Sequence, residues 1–131
     1  MNSYPPPHAS PVSMIAALRS LKTIAAGRRT VAVLGQMNEL GETAAADHIE
    51  VGHAVAKLHP DLLITVGNDD AAQLGTTAAN GGVDTVHAVD KHAAALLIAD
   101  LVKSGDVVLF KASNSLGLMA LAATLAAGAG E

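Results

Sequence analysis

Four short apolar runs along the chain alternate with longer segments in which apolar residues recur every three or four positions. The first run, 30–34, holds β-branched and aliphatic residues without polar alternation, and Gly35 follows it. Such a run is typical of a parallel strand that is covered on both faces. The same criteria predict four strands in all, at 30–34, 61–66, 83–89 and 106–111.

The intervening segments have helical periodicity and helix boundary signals. Ser10 and Pro11 match an N-cap followed by proline at the first helical position. Pro60 ends a second helical segment, and Asn68 and Asp90 are suitable N-caps for two more. We therefore predict helices over 11–26, over 43–58, a short one over about 68–79, one between Asp90 and Gly105, and a last one over 115–127.

This alternation predicts an α/β fold, a three-layer α/β/α Rossmann-like sandwich around a parallel four-stranded sheet. The spatial order that we expect is third, second, first and fourth strand, or 3-2-1-4. In that order the chain connection reverses between the first and fourth strands, so the loops after Leu34 and Lys111 face each other across a crevice. A ligand site is expected there.

Composition narrows the function classes. The 131 residues suffice for one domain with one core. A net charge of −4 with a single Tyr and a single Phe disfavours nucleic-acid binding. The chain has no cysteine, which excludes disulfides and thiolate chemistry. We expect no membrane association, because the longest apolar run, 119–127, is far shorter than the roughly 20 residues of a spanning helix.

Neither glycine-rich nucleotide motif is present. The turn 35–41 lacks the G-x-G-x-x-G spacing of dinucleotide sites, and no segment fits G-x-x-x-x-G-K-[ST]. A self-contained NAD or ATP site is therefore not expected.

The loop after the fourth strand carries candidate substrate-binding residues, Lys111, Ser113 and Asn114. A lysine at the end of a strand, next to hydroxyl and amide groups at a helix N-terminus, can hold a carboxylate or a phosphate. The alternative is that Ser113 or Asn114 only caps the helix and Lys111 only ends the strand.

The loop after the first strand supplies residues that are expected to line the crevice, Gln36, Asn38 and Glu39. Glu39 is also able to orient a substrate amine, although exposed glutamates in loops are commonly just solvated. No metal site is predicted, since His48 and His53 lie five residues apart, on different sides of a helix, and no H-E-x-x-H occurs.

These loops, taken with the first helix, carry a family resemblance that extends over nearly the whole chain from Pro11. The chain resembles the C-terminal domain of the Mur ligases, most closely the branch that adds D-alanyl-D-alanine. The residues that carry the resemblance are Pro11-x-Ser13-Met14-x-Ala16-Ala17-Leu18, Leu34-Gly35-x-Met37-x-Glu39-Leu40-Gly41-Glu42, His48, Gly52 and Lys111-Ala112-Ser113.

The resemblance implies a role in a three-domain cytoplasmic enzyme of peptidoglycan synthesis. In such an enzyme the central domain binds ATP and Mg²⁺, and ATP activates the carboxylate of UDP-MurNAc-tripeptide as an acyl phosphate. The amine of D-Ala-D-Ala then attacks it. The C-terminal domain acts as a lid with the N-terminal and central domains as partners, and by analogy Lys111, Ser113 and Asn114 would face the substrate. Alone, the domain is expected to be inactive and to bind no cofactor.

Two departures from the family pattern bear on this interpretation. The family segment before the first helix reads approximately D-x-Y-N-A-N-P, whereas here a proline-rich arm or linker, 1–10, precedes the ligase-type domain, 11–131. Asn114 stands where the family usually has Arg. The arm leaves open an alternative, that the chain is an engineered scaffold presenting a proline-rich peptide to a receptor protein.

Overall fold

The computed structural model describes residues 10–112, and within them the predicted architecture is confirmed. Four parallel strands form one sheet in the order β3-β2-β1-β4. The strands are β1 (Thr30–Gly35), β2 (Leu62–Val66), β3 (Thr85–Ala88) and β4 (Val107–Lys111). The helices are α1 (Pro11–Ala25), α2 (Ala44–Leu58), α3 (Asp69–Asn80) and α4 (Lys91–Leu101), with a 3₁₀ turn over Gly41–Thr43 before α2.

The helices cover the two faces of the sheet unequally. Helices α1, α2 and α3 share one core with β-strand residues such as Leu34 and Leu63. Helix α4 covers the other face, where Ala94 and Ile98 pack against residues such as Val33 and Ile64. This division follows from right-handed crossovers, because α2 and α3 lead in one direction across the sheet and α4 leads back. The reversal places β4 beside β1.

Glycine allows α2 and α3 to lie very close together. A Cβ atom on Gly52 would lie 2.7 Å from both the carbonyl oxygen of Leu74 and the Cβ of Thr77. Only a residue without a side chain fits there, so Gly52 sets the distance between the two helices. The resulting contact holds α2 in place over the sheet.

Several boundaries differ from the predicted ones. Strand β3 is shorter than 83–89, since the Val83 N–H donates to the carbonyl of Ala78 at the end of α3. Helix α4 ends at Leu101, four residues before Gly105, because Val102 is extended and Asp106 accepts the N–H of Lys103 at 2.7 Å. The predicted last helix, 115–127, and residues 1–9 of the arm lie outside the described residues.

At the amino end of the sheet, charged side chains form hydrogen bonds and an ion pair that join neighbouring segments of the chain. The Asp61 carboxylate accepts the Thr30 N–H at 2.8 Å and the Thr30 hydroxyl at 3.2 Å. The backbone bond from Thr30 is the main cause that lowers the pKa of Asp61; the Thr30 hydroxyl and the charges of Lys22 and Arg29 add to it, against partial desolvation. Arg29 pairs with Asp106 at 2.5 Å, and the Asp106 side chain is only 4% exposed.

Candidate functional site

The loops that follow β1 and β4 leave the sheet side by side. The two strands are parallel neighbours, and Leu34 is paired with Lys111 in their register. Lys111 is half-buried, and its ammonium has no hydrogen-bond or ion-pair partner among residues 10–112. A positive charge therefore stands at the carboxyl end of the sheet, where ligands bind in open α/β folds.

Gln36 ties the loop after β1 to the loop after β2. Its N–H donates to the Val66 carbonyl at 3.1 Å, which extends the sheet pairing by one residue. Its side-chain oxygen accepts the Asn68 N–H at 2.8 Å, and its side-chain nitrogen donates to Asn38 Oδ1 at 2.9 Å. Gly67 makes this possible, because its φ is +127° and a Cβ there would overlap the Gln36 side-chain oxygen.

His48, in α2, holds Met37, the next residue of the same loop, through a hydrogen bond. The Met37 N–H donates to His48 Nε2 at 2.9 Å, and His48 Nδ1 lies 2.7 Å from the Ala44 carbonyl oxygen. The imidazole is fully buried and the Met37 residue is 3% exposed. Three consecutive residues, Gln36 to Asn38, are therefore held by side-chain contacts.

Acidic and basic side chains lie at different places along the carboxyl end of the sheet. The first turns of α2 and α3 carry acidic residues, Asp47 in α2 and Asp69 and Asp70 in α3. Acidic residues there are favourable to the helix dipoles and oppose an anion at those helix starts. Of the groups described above, Lys111 is the one suited to an anion, whereas Glu39, exposed and at a φ of +64°, presents a negative charge on the loop.

The structure brings four of the six predicted site residues to one edge of the sheet. Lys111 lies at the end of β4, and Gln36, Asn38 and Glu39 lie in the loop after β1. Gln36 is directed to the β2 side of that loop through its bond to Asn68. Ser113 and Asn114 lie outside the described residues.

Sequence reasoning misses His48 and Asn68 as parts of this site. It predicts Asn68 only as an N-cap, a role that Asn68 also has, since its side chain accepts the Ala71 N–H at 3.1 Å. It considers His48 as a metal ligand, which it rejects, and as one residue of the family resemblance, without a structural role. No group of three or more His, Cys, Asp or Glu side chains lies together within residues 10–112. The sequence feature that could have identified His48 is its position near the start of α2, seven residues after the loop bounded by Gly35 and Gly41.

The same stretch of chain matches a known protein family. A profile of the family described as "Mur ligase, glutamate ligase domain" matches residues 9–114. The UDP-N-acetylmuramoyl-tripeptide--D-alanyl-D-alanine ligase of Mycobacterium leprae is 39% identical over 134 residues, covering 90% of this chain and 26% of the relative. The corresponding ligase of Synechocystis sp. is 38% identical over 115 residues, covering 88% of this chain and 25% of the relative.

Solved structures agree. MurF from Acinetobacter baumannii superposes with a TM-score of 0.76 at 25% identity, covering 90% of this chain and 26% of that one. MurF ligase from Thermotoga maritima, solved in complex with ADP, gives a TM-score of 0.65 at 27% identity, covering 83% of this chain and 24% of that one.

The chain spans about a quarter of the length of the curated relatives it matches. No helix within residues 10–112 combines the length and the apolar character needed to cross a bilayer. The match over residues 9–114 and the shared sheet order, with the paired exits of β1 and β4, lead to one assignment. The chain belongs to the Mur ligase family, as a C-terminal domain similar to that of MurF.

Proposed function

We propose that this chain is the C-terminal lid of an ATP-dependent ligase that adds D-alanyl-D-alanine to UDP-MurNAc-tripeptide. The observation that carries the proposal is the 39% identity, over 90% of the chain, to ligases named for this reaction. The domain division proposed is an arm over 1–10 and the ligase domain over 11–131. Since the reaction belongs to cytoplasmic precursor synthesis, the proposed location is the cytoplasm.

Lys111, Ser113 and Asn114 are the proposed substrate-binding residues. D-Ala-D-Ala carries a free carboxylate and a free amine, and the amine must reach the activated carbonyl of the tripeptide. The Lys111 ammonium would hold the carboxylate, since charge-assisted pairs are the strong hydrogen bonds of proteins. Gln36, Asn38 and Glu39 would line the same crevice, where the Glu39 carboxylate is suited to an ammonium group.

ATP and Mg²⁺ would be held by the central domain. The carboxyl edge does not fit a nucleotide on its own, because acids occupy the first turns of α2 and α3 and the chain has no phosphate-cradling loop. The nucleotide supplies the activation of the tripeptide carboxylate. This domain would close over the reactants and exclude water from the acyl phosphate, which water would otherwise hydrolyse.

The chain alone is therefore proposed to be catalytically inactive. Purified protein with ATP and Mg²⁺ should release no phosphate above the background without protein. Steady turnover that co-purifies with the chain would contradict this point.

A chimeric ligase tests the proposal. Residues 11–131 replace the corresponding domain in the Mycobacterium leprae ligase, and ligation of D-Ala-D-Ala to UDP-MurNAc-tripeptide is measured. The chimera should ligate, and Lys111→Ala should lower its kcat/KM about 10- to 100-fold, the effect of losing a hydrogen bond to a charged group. A chimera no more active than the relative without its C-terminal domain would refute the proposal.

Lys103→Ala is the matched control for the lysine. Lys103 is exposed and lies at the amino end of the sheet, and it bonds to Asp106 through its backbone N–H rather than its side chain. Its replacement should leave kcat/KM within about twofold of the unsubstituted chimera, as expected for a surface position. The proline-rich scaffold alternative gains no support from the fold or the relatives, and residues 1–9 lie outside the described part of the chain.

A further inference from the structure

We propose that His48 is a positioning residue, whose buried neutral imidazole fixes the backbone of the loop after β1 and so sets the affinity of the crevice for its substrate. The proposal rests on the proposed function for the identity of that substrate. It concerns a residue that touches neither substrate nor cofactor and acts through Met37.

The partners of the two ring nitrogens determine where the proton lies. The Ala44 carbonyl can only accept, so Nδ1, at 2.7 Å from it, must carry the hydrogen. The Met37 N–H can only donate, so Nε2, at 2.9 Å, must offer a lone pair. Both bonds exist together in one form of the ring, the neutral Nδ1–H tautomer.

The Met37 amide has a strong requirement for this acceptor. Met37 packs its side chain into the core shared by α1, α2 and α3, and the residue is 3% exposed. Water therefore has little access to its N–H, and a buried donor without a partner is destabilising. His48 meets this requirement from α2, which Gly52 holds firmly against α3.

Holding Met37 also restricts the two candidate site residues that follow it in the chain. Asn38 comes directly after Met37, and Glu39 then takes a left-handed conformation with a φ of +64°. A non-glycine residue in that region persists when its surroundings impose it. With Met37 held by His48 and Gln36 held by Asn68, the loop presents Asn38 and Glu39 in one arrangement before any ligand arrives. A preordered loop binds with less loss of conformational entropy.

Nuclear magnetic resonance of the 131-residue chain tests the first half of the proposal. A long-range proton–nitrogen spectrum should show His48 as the Nδ1–H tautomer at neutral pH. In His48→Leu, hydrogen exchange at the Met37 amide should accelerate at least about tenfold more than at Val33, which reports the strand core. His48→Gln, whose side-chain oxygen can accept the same N–H, should restore most of the protection.

The chimeric ligase tests the second half. His48→Gln and His48→Leu are compared with His53→Leu, a control on the same helix whose side chain is exposed. His48→Leu should raise the KM for D-Ala-D-Ala about tenfold and leave kcat within about twofold, because binding geometry rather than chemistry is altered. His48→Gln should lie much closer to the unsubstituted chimera. The His53 variant should match the unsubstituted chimera in both constants.

Three results would overturn the inference: an Nε2–H or doubly protonated His48 ring at neutral pH, unchanged Met37 exchange in His48→Leu, or an unchanged KM in a folded His48→Leu chimera. If His48→Leu does not fold, the tautomer of the His48 ring in the unsubstituted chain still decides, because only the Nδ1–H form allows both hydrogen bonds. The proposed function is judged separately, since Lys111→Ala would still impair ligation if His48 had no influence.

Discussion

The two ends of the sheet use polar side chains in different ways. At the amino end, carboxylates are paired within the domain, Asp61 with Thr30 and Asp106 with Arg29. At the carboxyl end, neutral groups, the carboxamide of Gln36 and the imidazole of His48, hold backbone amides. The charge of Lys111 has no partner within residues 10–112. The amino end therefore uses its charges to pair groups within the domain, whereas the carboxyl end keeps one charge for the ligand that we propose.

The largest loss of unfolding free energy is expected at Gly67, where the carboxyl end of the sheet requires a glycine. In Gly67→Ala, a Cβ would overlap the Gln36 side-chain oxygen, at a φ of +127° that L-residues avoid. The variant should lose roughly 2–3 kcal/mol of unfolding free energy in urea titrations, from backbone strain and the loss of the Gln36–Asn68 bond.

Gly105→Ala is the matched control, at the opposite end of the sheet. Its φ is +92°, but a Cβ there meets nothing within 4 Å. It should lose only about 1 kcal/mol, the strain alone. Equal losses in the two variants would show that the Gln36 contact adds nothing.

The next largest loss of unfolding free energy is expected when a charged pair at the amino end is removed. Asp106→Ala removes the acceptor of Arg29, at 2.5 Å, and of the Lys103 N–H, at 2.7 Å. Unfolding free energy should fall by about 2 kcal/mol, since two donors lose a charged acceptor, although Arg29 is partly exposed and can be solvated.

Asp100→Ala serves as the comparison for Asp106, because Asp100 is an exposed acid near the end of α4. Its unfolding free energy should change by less than about 0.5 kcal/mol. A loss as large as that of Asp106→Ala would mean that the pairing at the amino end is not what stabilises it.

A smaller effect follows from the lowered pKa of Asp61. Because the folded-state pKa lies below the unfolded one, the charged form stabilises the fold above the unfolded pKa. That stabilisation disappears as pH falls through the folded pKa. Asp61→Asn keeps an oxygen for the Thr30 N–H but never carries the charge, so it should be less stable than the parent at pH 7, by under about 1 kcal/mol for an exposed, screened group.

Denaturant titrations from pH 7 downward check this. The gap between the parent and Asp61→Asn should close below about pH 4, the region of an ordinary aspartate. Asp84→Asn, at an exposed position before β3, is the matched control, and its unfolding free energy at pH 7 should stay within about 0.5 kcal/mol of the parent. A gap that widens on acidification would mean that the folded state does not favour the charged form of Asp61.

The smallest change in unfolding free energy is expected from a substitution that stabilises the amino end. Ala26, after α1, is exposed and left-handed, with φ 50° and ψ 48°. Ala26→Gly removes that strain and should raise unfolding free energy by about 0.5 kcal/mol. The same substitution at the exposed helical Ala99 should lower it by about 1 kcal/mol. Thermal melts of both variants measure the contrast, and a destabilised Ala26→Gly would refute it.

Much of this organisation is predictable from sequence, because apolar runs, glycines and N-caps are local signals. The strand order and the adjacency of Leu34 and Lys111 follow from the alternation of elements and the rule of right-handed crossovers. The predicted end of α4 is wrong, since a carboxylate at Asp106 competes with the glycine signal at Gly105.

The connections that hold the candidate site are not predictable in the same way. The bond between the Asn68 N–H and the Gln36 side chain joins residues 32 apart in sequence. The bond between the Met37 N–H and His48 joins a loop to a helix 11 residues further along the chain. Each depends on side-chain direction in the folded sheet, which residue type and spacing do not specify. The sequence therefore marks His48 as a rejected metal ligand and as part of the family resemblance, but it does not show that the ring accepts a backbone N–H.

The most direct test of the separation between the two ends measures kcat/KM and unfolding free energy for Lys111→Ala and Asp106→Ala in the same chimeric ligase. We predict that Lys111→Ala loses ligation and keeps its stability, while Asp106→Ala loses stability and keeps its ligation under conditions in which it is folded. Parallel losses of both quantities in the two variants would contradict this separation.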